Sequence, residues 1–127
     1  MKAFASLLAP VALSACVVVP APDGTPPAPQ GSAVGLGQSV LVGDLAVTPL
    51  EVVEDSRCPI NVRCVWPGRL VVRTRIDGSG WRDTAGLRLW DTYGTHDRAI
   101  ALVSGEPGKT AERETRPGEY RFIYEAR

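Results

Sequence analysis

The sequence predicts a small all-β domain of about six or seven strands, either an antiparallel β-sandwich of immunoglobulin-like type or a barrel. Three observations carry this. From Ala33 onward, short runs of β-branched and aromatic residues are punctuated by Gly, Pro and Asp. No apolar period of helical spacing is sustained in that stretch. Two segments alternate as strands of a sheet wet on one face do: Leu70, Val72, Thr74 and Ile76 oppose Val71, Arg73 and Arg75, and Tyr120, Phe122 and Tyr124 oppose Arg121, Ile123 and Glu125.

The expected strands, in chain order, are residues 38–42, 45–54, 69–76, 81–90, 99–103 and 119–125. Asp77-Gly78-Ser79-Gly80 lies between two of them as a hairpin loop, and Pro117-Gly118 suits the centre of a type II turn. Pro117-Gly118-Glu119-Tyr120 also resembles the approach to a late strand of immunoglobulin-like sandwiches. Residues 90–97 read as a polar loop, and the one helical possibility is a single turn near residues 109–114.

Composition bounds the function. The chain has 127 residues with 14 Lys and Arg against 14 Asp and Glu, enough for one domain and not the charge of a nucleic-acid binder. No run of 18 apolar residues follows the first twenty positions, which excludes a polytopic membrane protein. The abundance of Arg over Lys suits recognition of carboxylate or phosphate groups, but a GC-rich genome produces the same bias.

The N-terminus carries an address. Lys2 supplies a positive charge, residues 4–13 an apolar stretch, and Leu13-Ser14-Ala15-Cys16 small residues ending in cysteine. Residues 1–15 are expected to be a signal peptide. The tetrapeptide resembles the lipobox of bacterial lipoproteins, which implies a lipid-modified Cys16 as the first mature residue and a membrane anchor without a spanning segment. By the same resemblance, Val17 in place of Asp favours the outer membrane, facing the periplasm.

Residues 16–32 hold Pro20, Pro22, Pro26, Pro27 and Pro29 and are expected to form an extended tether reaching roughly 50 Å from the lipid at about 3.1 Å per residue. Residues 33–127 form the expected folded domain.

Two cysteines remain, Cys58 and Cys64. In an exported protein an isolated pair is expected as a disulfide, and two Cys with one His fall short of a zinc site. The ring is small, contributing about 2 kcal/mol in the chain-entropy description, so it shapes a loop more than it holds a fold. Trp66 just beyond it is expected to pack under the ring against sulfur, the alternative being an exposed binding anchor.

The run Asp55-Ser56-Arg57-Cys58-Pro59, a short spacer, then Cys64-Val65-Trp66-Pro67-Gly68 resembles the signature of a group of small, mostly uncharacterised bacterial secreted proteins and lipoproteins. The likeness covers roughly residues 52–72, and Pro67 stands where that group has Ala. It implies export and brings no catalytic residue.

Chemistry is scarce. His96, the sole histidine, sits beside Asp97 in a polar stretch, and a hydrolase built on it is conceivable. Neighbouring residues on an extended chain point apart, however, and no nucleophile elbow is present. The alternating charges of Glu112, Arg113, Glu114 and Arg116 read as a solvated surface, and no phosphate-binding glycine loop or calcium loop appears. The expectation is a non-catalytic module without cofactor or metal. It would be membrane-anchored through Cys16 and would contact an envelope protein through Arg57, Arg63 and Trp66. A protease inhibitor presenting the Cys58–Cys64 loop with Arg63 is the alternative.

Overall fold

A computed structural model describes residues 25–127. The expected signal peptide, the lipidation site Cys16 and the tether up to residue 24 lie outside the described residues. Seven strands form: β1 (Val40–Val42), β2 (Leu45–Asp55), β3 (Leu70–Gly78), β4 (Trp81–Arg88), β5 (Thr92–Thr95), β6 (Arg98–Glu106) and β7 (Arg121–Ala126). They make two antiparallel sheets, ordered β1-β2-β3-β4 and β5-β6-β7. The sheets do not close into a barrel, so of the two expected architectures the sandwich is the one present. Neighbours in each sheet are consecutive in sequence, so both sheets are meanders. The exchange of strands between sheets that marks immunoglobulin domains is absent among the described residues.

Alternation explains the packing. In β3 the side chains of Leu70, Val72, Thr74 and Ile76 are buried while Arg73 is exposed; in β7 Phe122 and Tyr124 are buried between exposed Arg121 and Glu125. These inward faces meet Val40, Val42 and Val47 from one sheet and Ile100 and Leu102 from the other in a single core. Tyr124 Oη and Thr74 Oγ1, 2.9 Å apart, share a hydrogen bond across that core, which satisfies a hydroxyl that burial would otherwise strand. Burial pushes the Tyr124 phenol well above its usual range. Pro49, inside the central strand β2, has no N–H to give, and the register shifts between it and Glu51.

Several turns differ from expectation. Residues 90–97 are not all loop: Thr92–Thr95 pair with Arg98–Ala101 as a hairpin, because His96 and Asp97 adopt φ of 48° and 58°. Two consecutive left-handed residues make the tight turn that matches strand twist. Pro117-Gly118 is not a type II turn. Gly118 is not left-handed, and Pro117–Glu119 form a 3-10 turn in which the Glu119 N–H donates to the Arg116 carbonyl at 2.9 Å. The helical turn near 109–114 is replaced by a tight turn bridged between Thr110 and Arg113. The Ser79-Gly80 hairpin turn is present, with Gly80 at φ 79°.

The later part of the Pro-rich segment is attached to the domain. Ala28 bridges Val40 in parallel: its N–H donates to the Ser39 carbonyl at 2.8 Å and its carbonyl accepts from the Leu41 N–H at 2.9 Å. Composition hides this, because a Pro-rich chain is already extended and needs only one or two free groups to join a sheet edge. On the other side of the sandwich a side-chain clasp joins the sheets. Asp83 on β4 accepts hydrogen bonds from Tyr93 Oη at 2.6 Å and Thr95 Oγ1 at 2.8 Å on β5, and these hold its carboxyl below the usual range.

Phe122 is wholly buried and touches both sheets' core residues. Phe122→Ala should cost about 3–5 kcal/mol of unfolding free energy in urea denaturation, whereas Arg73→Ala, on the wet face, should stay within about 0.5 kcal/mol. Equal effects would contradict the assignment of faces.

Candidate functional site

The segment from Ser56 to Arg69 leaves β2 and returns to β3. Its neck is closed by backbone pairing: the Ser56 N–H donates to the Arg69 carbonyl at 2.8 Å, and the Cys58 N–H donates to the Pro67 carbonyl at 3.1 Å. Gly68 makes the neck this narrow. It sits at φ 66°, and a Cβ there would lie 1.7 Å from the Ser56 carbonyl oxygen, so no other residue fits without moving backbone. Inside the neck Cys58 and Cys64 form the expected disulfide, with Cα atoms 5.8 Å apart.

A second device pins the loop to the rest of the sandwich. Arg57 grips Asp55 side-on through one guanidinium edge, Nε to Oδ1 at 2.8 Å and Nη2 to Oδ2 at 3.0 Å. It then donates Nη1 to the Gly105 carbonyl at 2.6 Å and Nη2 to the Pro107 carbonyl at 3.1 Å, at the end of β6 in the other sheet. Asp55 also accepts from Tyr120 Oη at 2.7 Å, and Lys109 Nζ donates to the Asp55 carbonyl at 2.7 Å. Farther out, the Ile60 N–H donates to the Lys109 carbonyl at 2.8 Å and Asn61 Nδ2 donates to Glu112 at 2.9 Å.

Electrostatics favour this arrangement. Burial opposes ionisation of Asp55, but hydrogen bonds from Arg57 and Tyr120 outweigh it and hold the carboxyl below its usual range. The Asp55 hydrogen bond correspondingly raises Arg57 above its usual value. Burial, then the bond to Asp55, pushes the Tyr120 phenol up to about 12.

The expected contact residues therefore separate. Arg57 is an anchor of the loop: it donates to Asp55, Gly105 and Pro107 within the domain, and its side chain is only 17% exposed. Trp66 is corrected from packing under the ring: it is 80% exposed. Arg63 is exposed and, among the described residues, no hydrogen bond or ion pair holds it. The exposed Arg63 suits the inhibitor alternative, but the chain ahead of it turns back, with the Val62 N–H donating to the Pro59 carbonyl at 3.1 Å, where an inhibitor needs an extended strand.

Trp66 lines a shallow groove of about 310 Å³ with Glu54, Arg69 and Arg88. Arg69 pairs with Glu54; Arg88 has no carboxylate partner among the described residues. Among the described residues, the large hydrophobic side chains left exposed are Val53, Ile60, Val62, Val65, Trp66 and Trp90. All lie toward one end of the sandwich, where β2 ends, β3 begins and β4 passes into the β5 linker through the Leu89 N–H bond to the Leu70 carbonyl.

His96 is at the opposite end, on the tip of the β5–β6 hairpin. Its ring stacks on Trp81 with centroids 3.9 Å apart, and Nδ1 lies 2.9 Å from Thr95 Oγ1. That hydroxyl donates to Asp83, so it is not poised to lose its proton to the imidazole. Among the described residues no group of three or more His, Cys, Asp or Glu is placed to hold a metal. Asp55, Tyr120 and Gly68 are the residues sequence reasoning passed over; the Asp55-x-Arg57 spacing, which puts both on one side of an extended chain, was the available signal for the first.

Arg57→Ala should cost about 2–4 kcal/mol, because it leaves a largely buried carboxylate with only the Tyr120 hydroxyl and the backbone N–H of residue 57 and no opposite charge, while Arg63→Ala should be close to neutral. The pH dependence follows in sign. A depressed Asp55 pKa adds stability that is present above the unfolded value near about 4 and is lost as pH falls through the lower folded value. Acid titration of unfolding should show this loss in the parent and a reduced or inverted loss in Arg57→Ala, where burial acts on Asp55 with one counterweight gone. No protein-family model, curated protein or solved structure matches the chain, so its role rests on this geometry.

Proposed function

We propose that the protein is an exported, non-catalytic module of the bacterial cell envelope, anchored by lipid at Cys16 to the outer membrane on its periplasmic face, with the disulfide-closed loop as its working surface. The observation that carries the reading is the concentration of exposed apolar side chains, four of them between Ile60 and Trp66, on a loop held from below by Arg57 and Asp55. Exposed aromatic and aliphatic groups beside an arginine on a rigid support are the composition of a contact surface.

The motif that resembles secreted proteins and lipoproteins supports the same view. Asp55, Arg57, Cys58, Cys64 and Gly68 each have a task in shaping the loop, which leaves Trp66 as the residue presented by it. The position of His96, tied to Thr95 on a hairpin tip, supports a role without catalysis.

In cells, wild-type protein should fractionate with membranes and carry acyl mass on Cys16, whereas Cys16→Ser should lose both. A photo-reactive residue at Val65 should form adducts in intact cells, and one at exposed Thr84 should not. Membrane retention of Cys16→Ser, or equal labelling from both positions, would contradict the proposal.

A further inference from the structure

We infer that the loop end of the sandwich rests on an anionic lipid surface, the membrane that holds the anchor. This rests on the lipidation of Cys16 proposed above. The first support is the direction in which the chain leaves the domain. Residues before Ala28 run alongside the approach to β1, and Thr25 and Pro26 border the same groove as Leu36, Gly37 and Gln38. The Gly37 N–H donates to the Pro49 carbonyl at 2.7 Å. Followed backward from Ala28, the chain thus passes beyond the Val40–Val47 pair and heads the way β2 runs, toward Asp55 and the loop.

The second support is length. Because Ala28 is fastened to the sheet, only eight residues separate Cys16 from Thr25. At ~3.3–3.6 Å each they span at most about 30 Å. The sandwich is therefore kept beside the lipid with its loop end leading.

The third support is the chemistry of that end. Val53, the residues 60–66 and Trp90 come from separate segments of the chain yet share one end of the molecule. The opposite end, with the Gly43-Asp44, Ser79-Gly80 and His96-Asp97 turns, has none of the exposed large hydrophobic side chains; there Asp44 pairs with Arg98. A broad apolar end with indoles at its margin suits the interfacial zone of a bilayer, where tryptophan is favoured. Arg63 and Arg88 beside it lack carboxylate partners among the described residues, which suits anionic headgroups. An acyl anchor and an apolar, basic surface then act as two linked signals, each raising the effective concentration of the other.

The three tryptophans allow a direct test. Acylated mature protein, with Cys16 acylation verified by mass, is reconstituted into vesicles of phosphatidylethanolamine and phosphatidylglycerol, with and without brominated acyl chains. Trp66 and Trp90 lie at the loop end, while Trp81, stacked on His96, lies at the far end. Bromine should quench emission at least two-fold in Trp81→Phe and leave the double variant Trp66→Phe/Trp90→Phe, which retains Trp81, unchanged. Arg63→Glu/Arg88→Glu should halve the quenching or more.

Equal emission with and without bromine in acylated protein, or equal quenching of Trp81, overturns the inference. So does a Val65 photo-adduct consisting of protein in place of lipid. Either result leaves the proposed function intact. An unmodified Cys16 overturns both.

Discussion

The grip of Arg57 on Asp55 is the interaction on which the shape of the loop end of the molecule depends. A loop that connects adjacent antiparallel strands is ordinarily the least constrained part of a sandwich, because nothing obliges it to touch the other sheet. Here the guanidinium reaches across to the carbonyls of Gly105 and Pro107, and the carboxylate it pairs with is shared by Tyr120. One ion pair therefore ties the end of β2 to the end of β6 and to the approach to β7. The disulfide only shapes what lies beyond that tie. Sulfur links Cys58 to Cys64 within the loop, whereas Arg57 links the loop to the domain.

This division of labour makes the exposure of the apolar residues intelligible. Left to itself, a segment containing Ile60, Val62, Val65 and Trp66 would fold back and cover its apolar surface. A narrow neck at Gly68, a sulfur bridge and a charged anchor prevent that collapse, so the hydrophobic side chains remain outside. The cost is an apolar end on an otherwise polar sandwich. Two ends of opposite character result: one bearing paired charges and tight turns, the other aliphatic groups, indoles and unpaired arginines. Together with an N-terminal segment directed toward the second end, this polarity orients the domain relative to any surface that holds the N-terminus.

Much of the fold was legible because strand alternation is a local, two-residue signal. Leu70 to Ile76 and Tyr120 to Tyr124 show their buried faces directly in the sequence, and the Ser79-Gly80 turn has the glycine its backbone requires. Short β5 escaped notice because its turn is made by His96 and Asp97 in left-handed conformations, without the glycine that marks most two-residue hairpin turns. Pro117-Gly118 misled for the converse reason, since a proline-glycine pair fits a type II turn and a 3-10 turn alike. At the site, the disulfide was readable from compartment and spacing. The role of Arg57 was not, because it depends on Gly105 and Pro107, about 50 residues away in the chain, and on an Asp55 shared with the still more distant Tyr120, and long-range partners leave no mark on local pattern.

The account is tested most directly by amide hydrogen exchange on the folded protein before and after reduction of the disulfide. If the charged anchor holds the loop, reduction should release the Val62 amide, whose partner Pro59 lies within the ring, while the Ser56 amide, bonded to Arg69 in the neck, and the Ile60 amide, bonded to Lys109 outside the ring, keep their protection. Loss of protection at Ser56 and Ile60 together with Val62 would show that sulfur, and not the Arg57–Asp55 pair, is what holds this end of the molecule in place.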